Sequence, residues 1–361
     1  EPTNEQQMLV DAIGRFAASD LRPAAQAADQ STSFPQDVTE KGWRLGLVQG
    51  SLPETLGGLG ARSAVTSVLA LEELCFGDLA GALAILTPSL LTTPLLLAGS
   101  ENQKSAHLGA ASRELRPAYT AAFIEYAFDF DPNDMRTIAH ISGDAYVLSG
   151  EKALVPFAAD AELMLVYAAF DGRTQGFIVP RTAAGLTVAS EREQLLGLNA
   201  LPLYRIVLKD VRVPIANRLG GAQGHDFSPI LASMHIGSAA AALGLARAAF
   251  EYSRDYAMQR EAFGMKIAQK QAVAFMLAEM RTEIEGIRLL TWEAAWKLDE
   301  GKSDASVAAY LAATGAADMA MMVTDRALQI LGGHGYLRDH PIEMWMRNGR
   351  GIAMLTGLAI A

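Results

Sequence analysis

Two stretches in the last third of the chain decide its fold: Arg-Glu-Ala-Phe-Gly-Met-Lys-Ile-Ala-Gln-Lys-Gln at residues 260–271, and Gln-Ile-Leu-Gly-Gly-His-Gly-Tyr at residues 329–336. Each of them follows a long segment with apolar residues at helical spacing, residues 230–259 and 303–331. A third such segment covers residues 269–298. Long helices with interior Ala and Met pack as a bundle, so the sequence predicts a helical bundle with these motifs at helix ends.

The chain of 361 residues divides into three blocks of different character. Residues 1–117 have helical periodicity, and residues 223–361 contain the bundle helices. Residues 118–222 instead have short alternating segments between Gly and Asp turns, such as 145–148 after Gly143-Asp144. We therefore predict an α+β protein with an N-terminal helical domain, a small middle β-barrel or sandwich domain, and a C-terminal four-helix-bundle-like domain.

Composition limits the function classes. The formal net charge is −10 with no basic stripe, which argues against nucleic acid as a partner. Half of the residues are hydrophobic and only 19% are charged, so we expect surface to be buried between subunits. A single cysteine, Cys75, excludes an intrachain disulfide and a cysteine-based metal cluster. We predict no metal site and expect a cytoplasmic location.

We also expect no membrane span and no leader segment. Residues 79–97 are the first of the two most apolar stretches, and Pro88 and Pro94 interrupt them. Residues 236–249 are the second stretch, and they are shorter than the roughly 20 residues that cross a bilayer. The N-terminal residues lack the basic and apolar pattern of a secretory signal.

Further motifs occur in a fixed order along the chain. They are Pro53-Glu54 with Gly57-Gly58-Leu59-Gly60, Gln103-Lys104 with Leu108, Gly-Asp-Ala-Tyr-Val-Leu-Ser-Gly-Glu-Lys at 143–152, and Val213-Pro214 with Asn217-Arg218-Leu219-Gly220. Together with residues 260–271, residues 329–336 and the later Arg338-Asp339 and Arg347, they make the chain resemble the acyl-CoA dehydrogenase family of flavoproteins over almost its whole length.

The resemblance implies FAD as the cofactor. It places Arg260 on the pyrophosphate and Phe263 beside the adenine, which suits a guanidinium and an aromatic ring. It also implies that the dinucleotide approaches the main chain at Gln329, Gly332 and Gly333 closely, since glycine has no side chain to clash. The other cofactor residues that it implies are Ile267, Gln271, Phe123, Ile124 and Val155. In this family such contacts come partly from a neighbouring subunit.

The catalytic base of the family is missing. In the family reaction a carboxylate removes the α-proton of an acyl-CoA thioester while the flavin accepts a hydride from the β-carbon. Thr356 occupies the position of that glutamate in most members, and Met234 occupies its position in a minority. No Asp or Glu follows Glu343, so a small shift of the alignment restores no carboxylate at the first position. His235, beside Met234, is the main alternative base candidate, and Glu125 in residues 124–131 is a second one.

Two loops also depart from the family pattern. The family usually has Thr-Glu-Pro-Gly-Ala-Gly-Ser-Asp over flavin and substrate, whereas residues 124–131 read Ile-Glu-Tyr-Ala-Phe-Asp-Phe-Asp. Leu154-Val155-Pro156 replaces a common Trp-Ile-Thr that covers the flavin. The loops that approach flavin and thioester are therefore altered.

Three functions stay open at this level. The chain is an FAD-dependent acyl-CoA dehydrogenase with an unusual base or weak activity, a non-catalytic subunit of a mixed oligomer, or a same-fold flavoprotein with a base-independent reaction such as β-substituent elimination. The expected partners are acyl-CoA, an electron-transferring flavoprotein, and further copies or homologues in a dimer or tetramer. Because Thr356 replaces the glutamate base of the family, the sequence does not decide whether the chain is an enzyme.

Overall fold

The structure is a computed structural model that describes residues 2–58, 60 and 62–361. Leu59 of the glycine-rich motif lies outside the described residues. The N-terminal part is helical, as predicted, and a capping box of Thr3 and Gln6 begins its first helix. Its helices are α1 (Asn4–Phe16), α2 (Arg22–Ser31), α3 (Gln36–Trp43), α4 (Leu47–Gly50), α5 (Ala64–Gly77), α6 (Leu79–Leu86), α7 (Ser89–Ala98) and α8 (Glu101–Ala111).

A buried carboxylate caps α6 at its N-terminus. Asp78 is 2% exposed, and its Oδ1 accepts a hydrogen bond of 2.7 Å from the Gly81 N–H. Burial raises the pKa of Asp78 to about 6, because the low-dielectric interior disfavours the charged form. Ionisation of the Asp78 carboxyl therefore lowers the stability of the folded state.

This cap predicts a pH-dependent stability difference. The Asp78→Asn variant keeps an oxygen acceptor for Gly81 but carries no charge. The folded-state pKa of about 6 exceeds the ordinary 3.8, so the stabilising contribution of Asp78 is complete below pH 3.8 and is lost as pH rises through 6. Relative to the variant, we expect wild type to lose roughly 3 kcal/mol of unfolding free energy between pH 4 and pH 8. Parallel stability curves from chemical denaturation would contradict this assignment.

The middle domain is a curled seven-stranded sheet. Strands follow the order β1-β4-β2-β3-β7-β6, and β5 also pairs with β4, so the sheet bends around its own core. The predicted turn at Gly143-Asp144 joins β2 to β3 antiparallel, with Ser142 opposite Ala145. The strands are β1 (Tyr119–Ala122), β2 (Ile138–Ser142), β3 (Ala145–Pro156), β4 (Leu163–Phe170), β5 (Arg173–Pro180), β6 (Leu186–Val188) and β7 (Leu203–Pro214).

The C-terminal part is a bundle built around one central helix. Its elements are α9 (Ser228–Gln259), the hairpin β8 (Glu261–Ala262) and β9 (Met265–Lys266), α10 (Gln271–Asp299), α11 (Ala305–Leu331) and α12 (Ile342–Arg350). α9 and α11 run parallel, since His235 meets Tyr310 near their starts and Tyr256 meets His334 near their ends. α5 completes the four-helix arrangement, and Glu72 on α5 binds Arg247 at 3.1 Å and Arg288 at 3.0 Å.

The expectation that no segment has the character of a membrane span is wrong for two helices. Residues 228–259 and 305–336 are long and apolar enough to cross a membrane by length and composition. The apolar stretch predicted at residues 236–249 covers only part of the first helix, because small apolar residues continue along both helices beyond the most apolar stretches. The apolar window of α9 is 89% buried inside the chain, as a central bundle helix requires, whereas that of the second helix is only 39% buried. The exposed apolar face of α11 is a candidate subunit interface.

Candidate functional site

The predicted dinucleotide residues of the last domain converge at one end of the bundle. Arg260 ends α9, and its carbonyl accepts a hydrogen bond of 2.9 Å from the Ile267 N–H. α10 begins at Gln271 beside this hairpin, and α11 runs parallel to α9 and brings Gln329 and Gly332 to the same end. We call this group the dinucleotide end: Arg260, Phe263, Ile267, Gln271, Gln329, Gly332 and Gly333.

Phe263 stands out at the tip of the β8–β9 hairpin. Its backbone has a φ of 54°, and Gly264 follows with a φ of 77°, which makes a tight turn between the two short strands. A positive φ is costly for an aromatic residue, yet the ring is 93% exposed, with Lys270 Nζ 5.3 Å from its centroid. An aromatic ring held in solvent in a strained conformation is suited to a ligand or partner contact.

The glycine loop after α11 is fixed to α9 by two tyrosine–histidine pairs. Tyr256 Oη lies 2.9 Å from His334 Nδ1, and Tyr252 Oη lies 2.6 Å from His340 Nδ1. The two imidazoles stack with centroids 5.6 Å apart. Sequence reasoning missed this cluster, because its signal is only the spacing of two tyrosines one helical turn apart. The cluster orients Gly332, whose φ of 56° and ψ of −128° suit glycine.

The chemistry of the dinucleotide end fits a flavin dinucleotide. The Arg260 guanidinium is exposed and forms no ion pair within the part of the chain that the structure describes. Gln271 and Gln329 offer exposed amides, and a side chain at Gly332 or Gly333 would meet open space. A cation, amide donors, open backbone and an aromatic ring are what a pyrophosphate joined to an adenine requires.

The other predicted cofactor residues lie at the opposite end of α9. Phe123 is 2% exposed and its ring centroid is 6.1 Å from that of Phe227, which precedes α9. Val155 is also buried, and the Ile124 carbonyl accepts a hydrogen bond of 2.8 Å from the Ala153 N–H. The side chains of Phe123 and Val155 therefore lie in the core. Only the main chain at these residues is suited to face a flavin.

The two groups of cofactor residues are too far apart for one chain to hold one flavin with both. α9 has 32 residues and lies between them. At a rise of about 1.5 Å per residue the helix is roughly 48 Å long, a distance that a single dinucleotide does not span. A flavin that contacts both groups must therefore lie between two chains.

Both predicted positions of the catalytic base lie near Phe123. Met234 on α9 is completely buried in one apolar cluster with Phe123 and Ile360. Gly357, next to Thr356, lies so close to the Phe123 ring that any side chain there would collide with it. Thr356 is partly buried and has no carboxylate, so neither of the two predicted base positions supplies a base.

Glu125 follows Phe123 by two residues, and it is unavailable as a base. Its carboxylate accepts hydrogen bonds from Lys152 Nζ at 2.8 Å, from the Arg136 N–H at 2.7 Å and from the Thr137 N–H at 2.9 Å. Burial alone would raise the pKa of Glu125, but the Lys152 ammonium and these donors lower it below its ordinary value. Glu125 thus anchors the loop that begins at Phe123.

His235 points away from the base positions. Its ring packs edge-on against Tyr310 of α11, with centroids 5.6 Å apart, whereas Met234 faces Phe123. Burial lowers the pKa of the His235 imidazole, which keeps it neutral. The structure therefore does not bring the weak base candidate together with Thr356.

The two altered loops differ in what fixes them: a side-chain hydrogen bond at Tyr126 in the first, and positive φ angles around Val155 in the second. Tyr126 donates a hydrogen bond to the Glu193 carboxylate, and burial together with this bond raises the pKa of Tyr126 to about 12. Leu154 and Phe157 have φ angles of 52° and 51° on either side of Val155. Backbone strain of this kind is concentrated at binding and catalytic sites.

Fold and site together define a flavoprotein of the dehydrogenase class, and comparison with known proteins identifies its family. The acyl-CoA dehydrogenase N-terminal domain matches residues 3–114, the middle domain matches residues 125–211, and the C-terminal domain matches residues 228–358. The chain belongs to the acyl-CoA dehydrogenase family. The cofactor of this family is FAD, in agreement with the prediction.

Relatives match the chain over nearly its full length. A probable acyl-CoA dehydrogenase of Bacillus subtilis, YngJ, is 34% identical, and the match covers 100% of this chain and 98% of that protein. The butyryl-CoA dehydrogenase of Megasphaera elsdenii has 30% identity and a TM-score of 0.88, with 98% and 94% of the two chains covered. A chain from the structure of the electron transferring flavoprotein of Acidaminococcus fermentans has 31% identity, a TM-score of 0.88 and the same coverage.

Proposed function

We propose that this chain binds FAD and an acyl-CoA thioester and carries out α,β-dehydrogenation slowly, with solvent water taking the α-proton in place of the carboxylate base of its family. The observation that supports the proposal is that Met234 and Gly357, the neighbour of Thr356, both pack against Phe123, and that neither predicted base position carries a carboxylate. The dinucleotide end keeps the residues that fit the cofactor. The site therefore has the means to bind both reactants but lacks the group that removes the α-proton.

The proposed roles follow from position. The Arg260 guanidinium binds the pyrophosphate, Phe263 packs on the adenine, and the main chain at Gly332 and Gly333 allows close approach. On the neighbouring chain, the main chain at Phe123, Ile124 and Val155 faces the ring system. When bound, FAD supplies the capacity to accept a hydride equivalent, while the protein orients the thioester. An electron-transferring flavoprotein is the proposed electron acceptor, and the cytoplasm the proposed location.

A second candidate is a non-catalytic subunit of a mixed oligomer. It is favoured by Thr356, because a chain without the base can still contribute the dinucleotide end to the flavin of a competent neighbour. The exposed apolar face of α11 supports assembly in both cases, since large apolar surface is stabilised by burial against a partner. The base-independent elimination reaction is the third possibility that the test below separates.

The test is a spectroscopic one on the chain purified alone. We expect a yellow protein with flavin absorbance that bleaches slowly when a saturated acyl-CoA is added without oxygen. A colourless chain that takes up flavin only with a co-purified homologue would instead support the mixed oligomer. A yellow protein that binds the thioester and never bleaches would contradict dehydrogenation and favour the base-independent reaction.

A further inference from the structure

The imidazole of His334 is tied to the same end of α9 as Arg260. Tyr256 makes the connection with two hydrogen bonds. Its carbonyl accepts one of 2.8 Å from the Arg260 N–H, and its Oη lies 2.9 Å from His334 Nδ1. The glycine loop and Arg260 are therefore held together through one residue, although they come from different helices.

The glycine loop has one closed side and one open side. A Cβ on Gly335 would lie 2.7 Å from the Leu328 carbonyl oxygen, so the loop rests on α11 there. A Cβ on Gly332 or Gly333 would meet open space. His334 stands between these two sides and is half-buried. Its Nε2 has no hydrogen-bond partner among the described residues, and it is not an enclosed atom, so a ligand can reach it.

Tyr256 determines which nitrogen of His334 carries the proton. A phenol O–H is a stronger donor than a neutral imidazole N–H, and an unprotonated ring nitrogen is a stronger acceptor than a phenol oxygen. Tyr256 therefore donates to Nδ1, which leaves the proton of the neutral imidazole on Nε2. The accessible nitrogen of His334 is thus a hydrogen-bond donor.

The His334 ring is also held in orientation. It stacks on the His340 ring with an angle of 11° between the planes and centroids 5.6 Å apart. His340 is fixed in turn, because its Nδ1 lies 2.6 Å from Tyr252 Oη on the preceding turn of α9. A donor that is oriented before the ligand arrives loses little conformational freedom on binding.

We propose that His334 is a further cofactor-binding residue, whose Nε2–H donates a hydrogen bond to the pyrophosphate of the dinucleotide. This inference rests on the proposed function, since it adds a residue to the same FAD site. A donor to a phosphate oxygen makes a charge-assisted hydrogen bond, so His334 supplements the Arg260 guanidinium. Tyr256 is a positioning residue: it fixes the tautomer of His334 and does not touch the cofactor.

The first test compares FAD with riboflavin, which has neither the pyrophosphate nor the adenosine. Fluorescence titration of the flavin-free protein gives both Kd values, and their ratio reports the dinucleotide end alone. We expect His334→Phe, which keeps a ring to stack on His340, to raise the Kd of FAD by about 10-fold or more and to leave that of riboflavin unchanged. His334→Gln should restore part of the ratio through its amide donor. His340→Phe is the matched control in the same stack and should change the ratio by less than about threefold.

The second test reads the tautomer directly, by NMR of the protein labelled with ¹⁵N-histidine. We expect His334 to carry its proton on Nε2, and FAD, but not riboflavin, to shift the Nε2 resonance. Tyr256→Phe should give a mixture of the two tautomers and a smaller rise in the Kd of FAD than His334→Phe. A merely structural role of His334 would move neither signal.

The outcomes separate this proposal from the proposed function. If His334→Phe keeps the wild-type ratio, if the proton lies on Nδ1, or if FAD leaves the Nε2 resonance in place, His334 does not bind the pyrophosphate, while FAD binding and bleaching by acyl-CoA stand. If wild type binds riboflavin as tightly as FAD, the dinucleotide end does not hold the cofactor and both proposals fail. Thermal melts exclude unfolding as the cause of a lost ratio, and the glutamine variant provides the test if the phenylalanine variant is unstable.

Discussion

Thr356→Glu is expected to raise the rate of flavin reduction by a saturated acyl-CoA by about 10²- to 10⁴-fold, the usual contribution of a positioned general base. Thr356 follows α12 in the segment that packs on Phe123 and α9, so a carboxylate there would lie where the family keeps its base. Thr356 is partly buried, and its neighbour Gly357 fixes the main chain against the Phe123 ring. The new carboxylate would take up the α-proton of the thioester.

The matched control is Thr356→Gln, which has the same length and no basic oxygen. Single-turnover reduction, followed without oxygen by flavin absorbance, separates the chemical step from binding and product release. The account requires a clear gain for glutamate and none for glutamine. Equal rates for the two variants would mean that the altered loop at Tyr126 has lost the substrate geometry.

Arg260→Ala is expected to weaken FAD binding by about 10- to 100-fold, because it removes a charge-assisted hydrogen bond to the pyrophosphate. Arg260 ends α9 on the exposed side of the hairpin and forms no ion pair with the described residues, so its removal disturbs no internal pairing. The fold should remain intact. The measurement is the Kd of FAD, from fluorescence titration of the flavin-free protein.

Arg254→Ala is the control for this prediction. Arg254 is also exposed on the last turns of α9, but its guanidinium is paired with Asp255 at 2.7 Å. Its loss should change the Kd by less than about threefold, the size of a surface ion-pair effect. If both alanine variants retain FAD equally well, Arg260 does not bind the pyrophosphate.

The local parts of the site could be predicted from the sequence. The Arg260 and Gly332 motifs sit at helix ends, where few residues determine the backbone and a family pattern is easy to detect. The three-block fold follows for the same reason, since period and turn residues are local signals. Their gathering at one end of the bundle depends only on α9 and α11 being parallel.

The rest depended on contacts between distant parts of the chain. The pairing of Glu125 with Lys152 joins two motifs that look independent in sequence, and it removes Glu125 from the list of bases. The burial of Phe123 is set by aromatic contacts with Phe227 and Tyr167, which no periodicity shows.

The central claim is that one flavin site is built from two chains, since α9 separates the two groups of cofactor residues. Native mass spectrometry over a dilution series tests it most directly, because it reports the number of chains and of flavins in each species. The account predicts flavin only on dimers or larger assemblies, and flavin release that follows their dissociation. Monomers that keep a full complement of FAD would contradict it.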